Sequence, residues 1–174
     1  MRFLTTPVKG VMQLEPDPAI DERGFFARLF CPQEFATNGI AFVPQQTSLS
    51  HNRISLTLRG MHFCRKPEAK LVNCTRGRIY DVTLDVRRDS PTFGRWFSCE
   101  LVGGDGRGLF VPAGVAHGFL TIEPETDVLY QIDRLYQPEF AAGVRWNDPS
   151  FGIDWPDVPV VISARDAGYP DFVS

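Results

Sequence analysis

A chain of 174 residues with a net charge of −3 is long enough to bury roughly two thirds of its unfolded surface in one core, with no need of disulfides or a structural metal. Its basic residues are scattered, so it lacks the electrostatic footprint of a protein that binds nucleic acid or an anionic membrane surface. No apolar run reaches the roughly 18 residues of a membrane span, and MRFLTTPVKGVMQL has no signal-peptide apolar region, which points to a cytoplasmic protein.

With 14 phenylalanines, 15 glycines, 14 prolines and no sustained helical period, the composition predicts short strands joined by turns. Gly10 to Glu15 reads as a strand, DERGFF (Asp21 to Phe26) as a turn into another, and Pro32 to Asn38 as a short helix. In RIYDVTLDV, Tyr80, Val82, Leu84 and Val86 share one face while Asp81, Thr83 and Asp85 share the other, the alternation of a half-buried strand. RWFSCELV, GLFVPAG, HGFLTI and DVLYQIDRLY supply further apolar segments separated by Gly, Asp or Pro. This spacing predicts an all-β sandwich or barrel in a single domain over residues 1–174. The Pro- and Asp-rich tail from Pro149 to Ser174 reads as loops and short helical turns packed over it. Cys31, Cys64, Cys74 and Cys99 show no CxxC spacing and sit among hydrophobic residues, as reduced cysteines do.

Chemistry-bearing residues stand out in four places. Strict alternation through LRGMHFC puts His62 on one face with Leu58, Gly60 and Cys64, pointing into whatever the barrel encloses. Taken alone, His62 reads equally as a core histidine, Lys70 as a solvated lysine, Tyr130 as an amphipathic core residue and Asp166 as one acid among many.

The surrounding segments distinguish them. DERGFF, TLRGMHF, AKLV, a strand ending in DV before RRDSPTFGRW, VPAGVAHGF, VLYQ, GVRWNDPSFGIDWP and SARDAG occur in order from about Pro7 to Asp166. In this the chain resembles the nucleotide-sugar 3,5-epimerases typified by dTDP-4-dehydrorhamnose 3,5-epimerase, in the cupin superfamily. The resemblance implies a jelly-roll β-barrel, a homodimer that exchanges N-terminal strands, a nucleotide-diphosphate 4-keto sugar as substrate, and a site that needs no metal or other cofactor.

It also implies residue roles. His62 matches the family's base and Asp166 the acid bonded to it; Lys70 matches the lysine beside the sugar's 4-keto oxygen, and Tyr130 the proton donor on the opposite face of the ring. Arg23 and Arg59 match positions that contact the diphosphate, Gln46, Phe26, Arg28 and Ser48 complete the substrate-binding set, and His117 lies in the second cupin motif lining the same cavity. The roles are physically coherent. A hydrogen α to a ketone is weakly acidic, so its removal takes a positioned base and a cation or donor where enolate charge develops. The carboxylate fixes the tautomer of the imidazole and stabilises the imidazolium. The phenol, near cationic groups, is expected to have a lowered pKa, and two arginines suit a diphosphate through bidentate grips.

This chain departs from the family's pattern at Cys64, where many members have Gln, and in the shortened loop RKPEA. Arg28 stands where the rhamnose-pathway enzymes have a glutamate, and Ser48 where they usually have an asparagine. These positions lie by the nucleotide, so they leave the base open; Arg28 would suit the carbonyl acceptors of cytosine or guanine. Inversion at C3, C5 or both is equally open. Three alternatives stand beside this reading: a ketoisomerase, which needs no donor on the far face; a metal-dependent cupin using His62, Cys64, Glu68 and His117; and a binding module without catalysis.

Overall fold

Turn residues cut the chain into short extended segments, and the computed structural model, which describes residues 1–172, assembles them into two facing antiparallel sheets. In chain order these are β1 (Arg2–Thr5), β2 (Met12–Glu15), β3 (Ala19–Asp21), β4 (Gly24–Phe26), helix α1 (Pro32–Thr37), β5 (Gln46–Asn52), β6 (Thr57–Cys64) and β7 (Lys70–Arg76). There follow β8 (Arg78–Asp85), β9 (Trp96–Val102), β10 (Gly108–Val111), β11 (Val115–Thr121), β12 (Thr126–Ile132), β13 (Ala141–Gly143), β14 (Val161–Ile162) and the single helical turn α2 (Ala164–Ala167). One sheet runs β1-β2-β10-β7-β12-β5 and the other β13-β6-β11-β8-β9, with β14 added parallel to β6; β3 and β4 form a separate hairpin. The architecture is the expected jelly roll. The last two residues of the expected tail, 173–174, lie outside the described residues.

Three apolar clusters hold the layers together. Between the sheets, Val72, Leu109 and Val128 interlock with Ile79, Leu101 and Phe119. Outside the first sheet, α1 lays Phe35 against Phe42 and Phe110, rings that meet edge-on or stacked at centroid separations of 5.5–5.9 Å. Outside the second sheet, Val82 and Leu84 of β8 are covered by Phe151, Ile153 and Trp155 of the tail. The tail therefore overturns the half-buried reading of β8. Both faces are buried, and Asp81, Thr83 and Asp85, expected toward solvent, are 0% exposed on its inner side.

Strict alternation also fails in β6. His62 pairs with His117, but Arg59 pairs with Phe119, so β6 carries one residue more than β11 across this span. The bulge falls where two glycines meet. Gly60 has φ +142°, and a Cβ there would lie 2.5 Å from the Gly118 Cα, so a side chain at either position would force the strands apart. As a result Arg59 and His62, which alternation would send to opposite faces, both line the interior cavity.

Asp85 closes β8. It accepts from both Nε and Nη2 of Arg87 at 2.8 Å, and from the hydroxyls of Ser90 and Thr92, pinning the turn into β9. Burial alone would push its pKa up; the hydrogen bonds from Arg87, Ser90 and Thr92 outweigh that and hold it at about 2. Because the folded value lies below the unfolded one, the stabilisation is full above about pH 4 and fades as pH falls through 2. Asp85→Asn is expected to lose about 2 kcal/mol at pH 7, by denaturant titration. The gap from the wild type should shrink between pH 4 and pH 2; a gap independent of pH would contradict this assignment.

Candidate active site

The two sheets enclose a cavity of about 670 Å³. β6 supplies Arg59, His62 and Cys64; β5 supplies Gln46, Ser48 and Ser50 at alternate positions; β7, β11 and β12 supply Lys70, His117 and Tyr130. Seven of the expected catalytic and substrate-binding residues, His62, Lys70, Tyr130, Arg59, His117, Gln46 and Ser48, are thus brought together in one space. Asp166 stands directly behind them.

The Asp166 carboxylate meets His62 Nε2 at 2.7 Å, and its second oxygen accepts from the Gly60 amide at 3.2 Å. Ser163 caps the α2 turn by accepting from the Asp166 amide at 3.0 Å, which fixes the carboxylate's approach. Asp166 is 5% exposed. Burial pushes its pKa up, but the hydrogen bonds from His62, Gly60 and Ser163 prevail and leave it below the ordinary carboxylate value. A carboxylate at Nε2 makes that nitrogen the donor in neutral imidazole, leaving Nδ1 with the lone pair.

A second pair lies deeper. His117 Nε2 meets both oxygens of Asp81 at 3.0 and 2.9 Å, with both residues buried. Burial raises the Asp81 pKa, opposed by the charge and hydrogen bond of His117. His117 is flanked by the two proton-transfer candidates: it pairs with His62 across the β6–β11 ladder, and its ring meets Tyr130 edge-on at 6.0 Å. The expectation of a lowered Tyr130 pKa is overturned. Burial of the phenol, reinforced by Asp81, raises it well above its usual value, and Arg59 offsets only part of that.

Lys70 Nζ lies 3.4 Å from Glu68. Arg59 donates to Asn52 at 2.8 Å, which orients the guanidinium. Arg165, unread in the sequence because the neighbouring aspartate accounted for SARDAG, also lines the cavity, and the Tyr136 hydroxyl beside it raises its pKa further. Three cations and a single carboxylate, Glu68, therefore line the space among the described residues, a balance suited to an anionic ligand.

Three expected substrate contacts are elsewhere. Arg23 pairs with Asp21 in the β3–β4 turn, Phe26 is 81% exposed, and Arg28 pairs with Glu34 of α1 at 2.9 Å. None lines the cavity of its own chain: Arg23 and Phe26 sit on a hairpin that forms a separate sheet, and Arg28 lies between that hairpin and α1. The four residues of the metal-cupin alternative line the cavity but do not group as metal ligands: both histidines meet carboxylates through Nε2, and among the described residues no three His, Cys, Asp or Glu side chains come together to hold an ion.

A jelly-roll barrel holding a carboxylate-backed imidazole, a phenol and an excess of cations in one cavity has the make-up of a sugar-nucleotide epimerase. Comparison with known proteins makes that specific. The family model for dTDP-4-dehydrorhamnose 3,5-epimerase matches residues 5–174. The chain is 41% identical to the dTDP-4-dehydrorhamnose 3,5-epimerase of Methanothermobacter thermautotrophicus, over 97% of this chain and 92% of the relative. Among solved structures it superposes with a TM-score of 0.94 at 36% identity on the Bacillus anthracis dTDP-4-dehydrorhamnose 3,5-epimerase with TDP and PPi bound, covering 98% of this chain and 99% of that one. A Legionella pneumophila 3,5-epimerase in complex with dTDP-4-keto-L-rhamnose matches with a TM-score of 0.90 at 33% identity, covering 97% and 90%. The chain belongs to the dTDP-4-dehydrorhamnose 3,5-epimerase family, and its activity is that of a nucleotide-sugar epimerase, an isomerase.

Proposed function

We propose that His62 is the base and Tyr130 the acid of this epimerisation, acting on C3, C5 or both of a 4-keto sugar carried on a nucleoside diphosphate. The observation that carries the reading is that both side chains flank His117 in one cavity while Asp166 backs the imidazole at 2.7 Å. His62 takes the hydrogen α to the ketone on its free nitrogen, and Asp166 offsets the positive charge that results. Lys70 stabilises the enolate oxygen. Tyr130, with its raised pKa, stays protonated until a strong base such as the enolate carbon draws the proton from it. A ketoisomerase needs no such far-face donor, so the presence of Tyr130 in the cavity favours inversion.

Arg59 and Arg165 are the candidates for the diphosphate, with Gln46 and Ser48 lining the cavity beside them. Relatives solved with TDP and with dTDP-4-keto-L-rhamnose make deoxythymidine diphosphate the first nucleotide to test. Arg28 gives no support to a different base within one chain, since it is held by Glu34 outside the cavity.

The functional unit we propose is a cytoplasmic homodimer. Support comes from four free cysteines and from the β3–β4 hairpin, where Ile20, Phe25 and Phe26 are 79%, 50% and 81% exposed. β5 is an open sheet edge, with Leu49 61% exposed. Docked on the β5 edge of a second copy, the hairpin would bring Arg23 and Phe26 toward that copy's cavity. Sedimentation should give a dimer that Phe26→Glu dissociates; a wild-type monomer at micromolar concentration would contradict it.

The chemistry is tested with dTDP-4-keto-6-deoxyglucose in heavy water, followed by proton NMR. Wild type should incorporate deuterium at the inverted carbons, and His62→Ala should abolish both exchange and inversion. Tyr130→Phe should keep exchange and lose inversion by about 10²-fold or more. A folded Tyr130→Phe without exchange would contradict the division of roles.

A further inference from the structure

Tyr169 follows the α2 turn and touches two parts of the site. Its ring meets the His62 imidazole edge-on, with centroids 6.2 Å apart and planes inclined by 72°. It also covers Gly143, the ladder partner of His62 on β13, where an added Cβ would collide with the ring. The buried Tyr169 hydroxyl has the Arg165 guanidinium as its polar neighbour. The ring of this tyrosine fits against the base and into a glycine-sized gap, and its contacts with the site are made by the ring.

The single hydrogen bond that His62 Nε2 donates to Asp166 holds one nitrogen and leaves the imidazole able to pivot about its Cβ–Cγ bond. Such a pivot moves the nitrogen that takes the proton, and displacement on the scale of an ångström costs proton transfer heavily. An aromatic ring packed on the imidazole restricts the pivot, and its π-electrons tolerate the positive charge gained in turnover. Resting on the reading of His62 as base, we propose that Tyr169 is a positioning residue for the proton transfer: its ring braces the His62 imidazole against the motion that Asp166 alone permits.

Steady-state kinetics of Tyr169→Leu, Tyr169→Phe, Gly143→Ala and His62→Ala, with thermal unfolding of each, test this. Tyr169→Leu should lower kcat about tenfold with KM within about twofold, and Tyr169→Phe should restore kcat to within about twofold of wild type. Gly143→Ala, by pushing the ring off, should lower kcat similarly, and in the Tyr169→Leu background it should cost nothing further. If Tyr169→Leu fails to fold, the Gly143→Ala and Tyr169→Phe pair decides. The proposal is overturned if Gly143→Ala leaves kcat unchanged, if Tyr169→Phe is as slow as Tyr169→Leu, or if Tyr169→Leu raises KM alone, which would assign the ring to Arg165, 5.9 Å from its centre. An active His62→Ala would instead overturn the role of the base itself, and so separates failure of that reading from failure of this one.

Discussion

The site is organised around one hydrogen bond, between the imidazole of His62 in the middle of the barrel and the carboxylate of Asp166 at the end of the chain. Forming it takes more than two residues at the right distance. The bulge at Gly60 turns His62 and Arg59 into the same cavity, the Gly60 amide holds the other carboxylate oxygen, and Ser163 fixes the short turn that carries Asp166. β14 runs parallel to β6 immediately before that turn and so delivers Asp166 to the strand that carries its partner. The C-terminal tail in this sense supports the candidate active site, as well as covering Val82 and Leu84.

Two acids and three cations set the electrostatics of the cavity. Asp166 is held ionised by its hydrogen bonds, whereas Tyr130 is held neutral by burial. Environment pushes these two acids in opposite directions, which is how one pocket can present a base on one group and a proton on another. Arg59, Lys70 and Arg165 line the same space with only Glu68 to balance them among the described residues. An anionic ligand would complete that arrangement, and positive charge placed there would also stabilise an enolate.

Much of this was legible in the sequence, and the exceptions have physical causes. Strands with an apolar inner face, such as β9 and β12, announced themselves by hydrophobic residues between turn signals. β5 did not, because its cavity-facing positions are Gln46, Ser48 and Ser50, and a strand that lines a polar cavity carries no hydrophobic alternation. The acids of β8 looked solvent-facing because alternation shows two faces but not what covers each of them. Arg59 and His62 could be placed on one side only by knowing that Gly60 would meet Gly118 of a strand distant in sequence. Arg165 and Tyr169 were hidden beside a more conspicuous aspartate, and the raised pKa of Tyr130 depends on burial, which no motif records.

The central claim is that Asp166 sets the tautomer of His62, so that the neutral ring carries its proton on Nε2 and keeps a lone pair on Nδ1 for the substrate. Nitrogen-15 NMR of histidine-labelled protein, with His62 assigned by comparison with His62→Ala, measures this directly at a pH where the ring is neutral. The account predicts a pyrrole-like, protonated Nε2 and a pyridine-like Nδ1 for residue 62. A His62 ring protonated on Nδ1, with Nε2 bare toward Asp166, would contradict it.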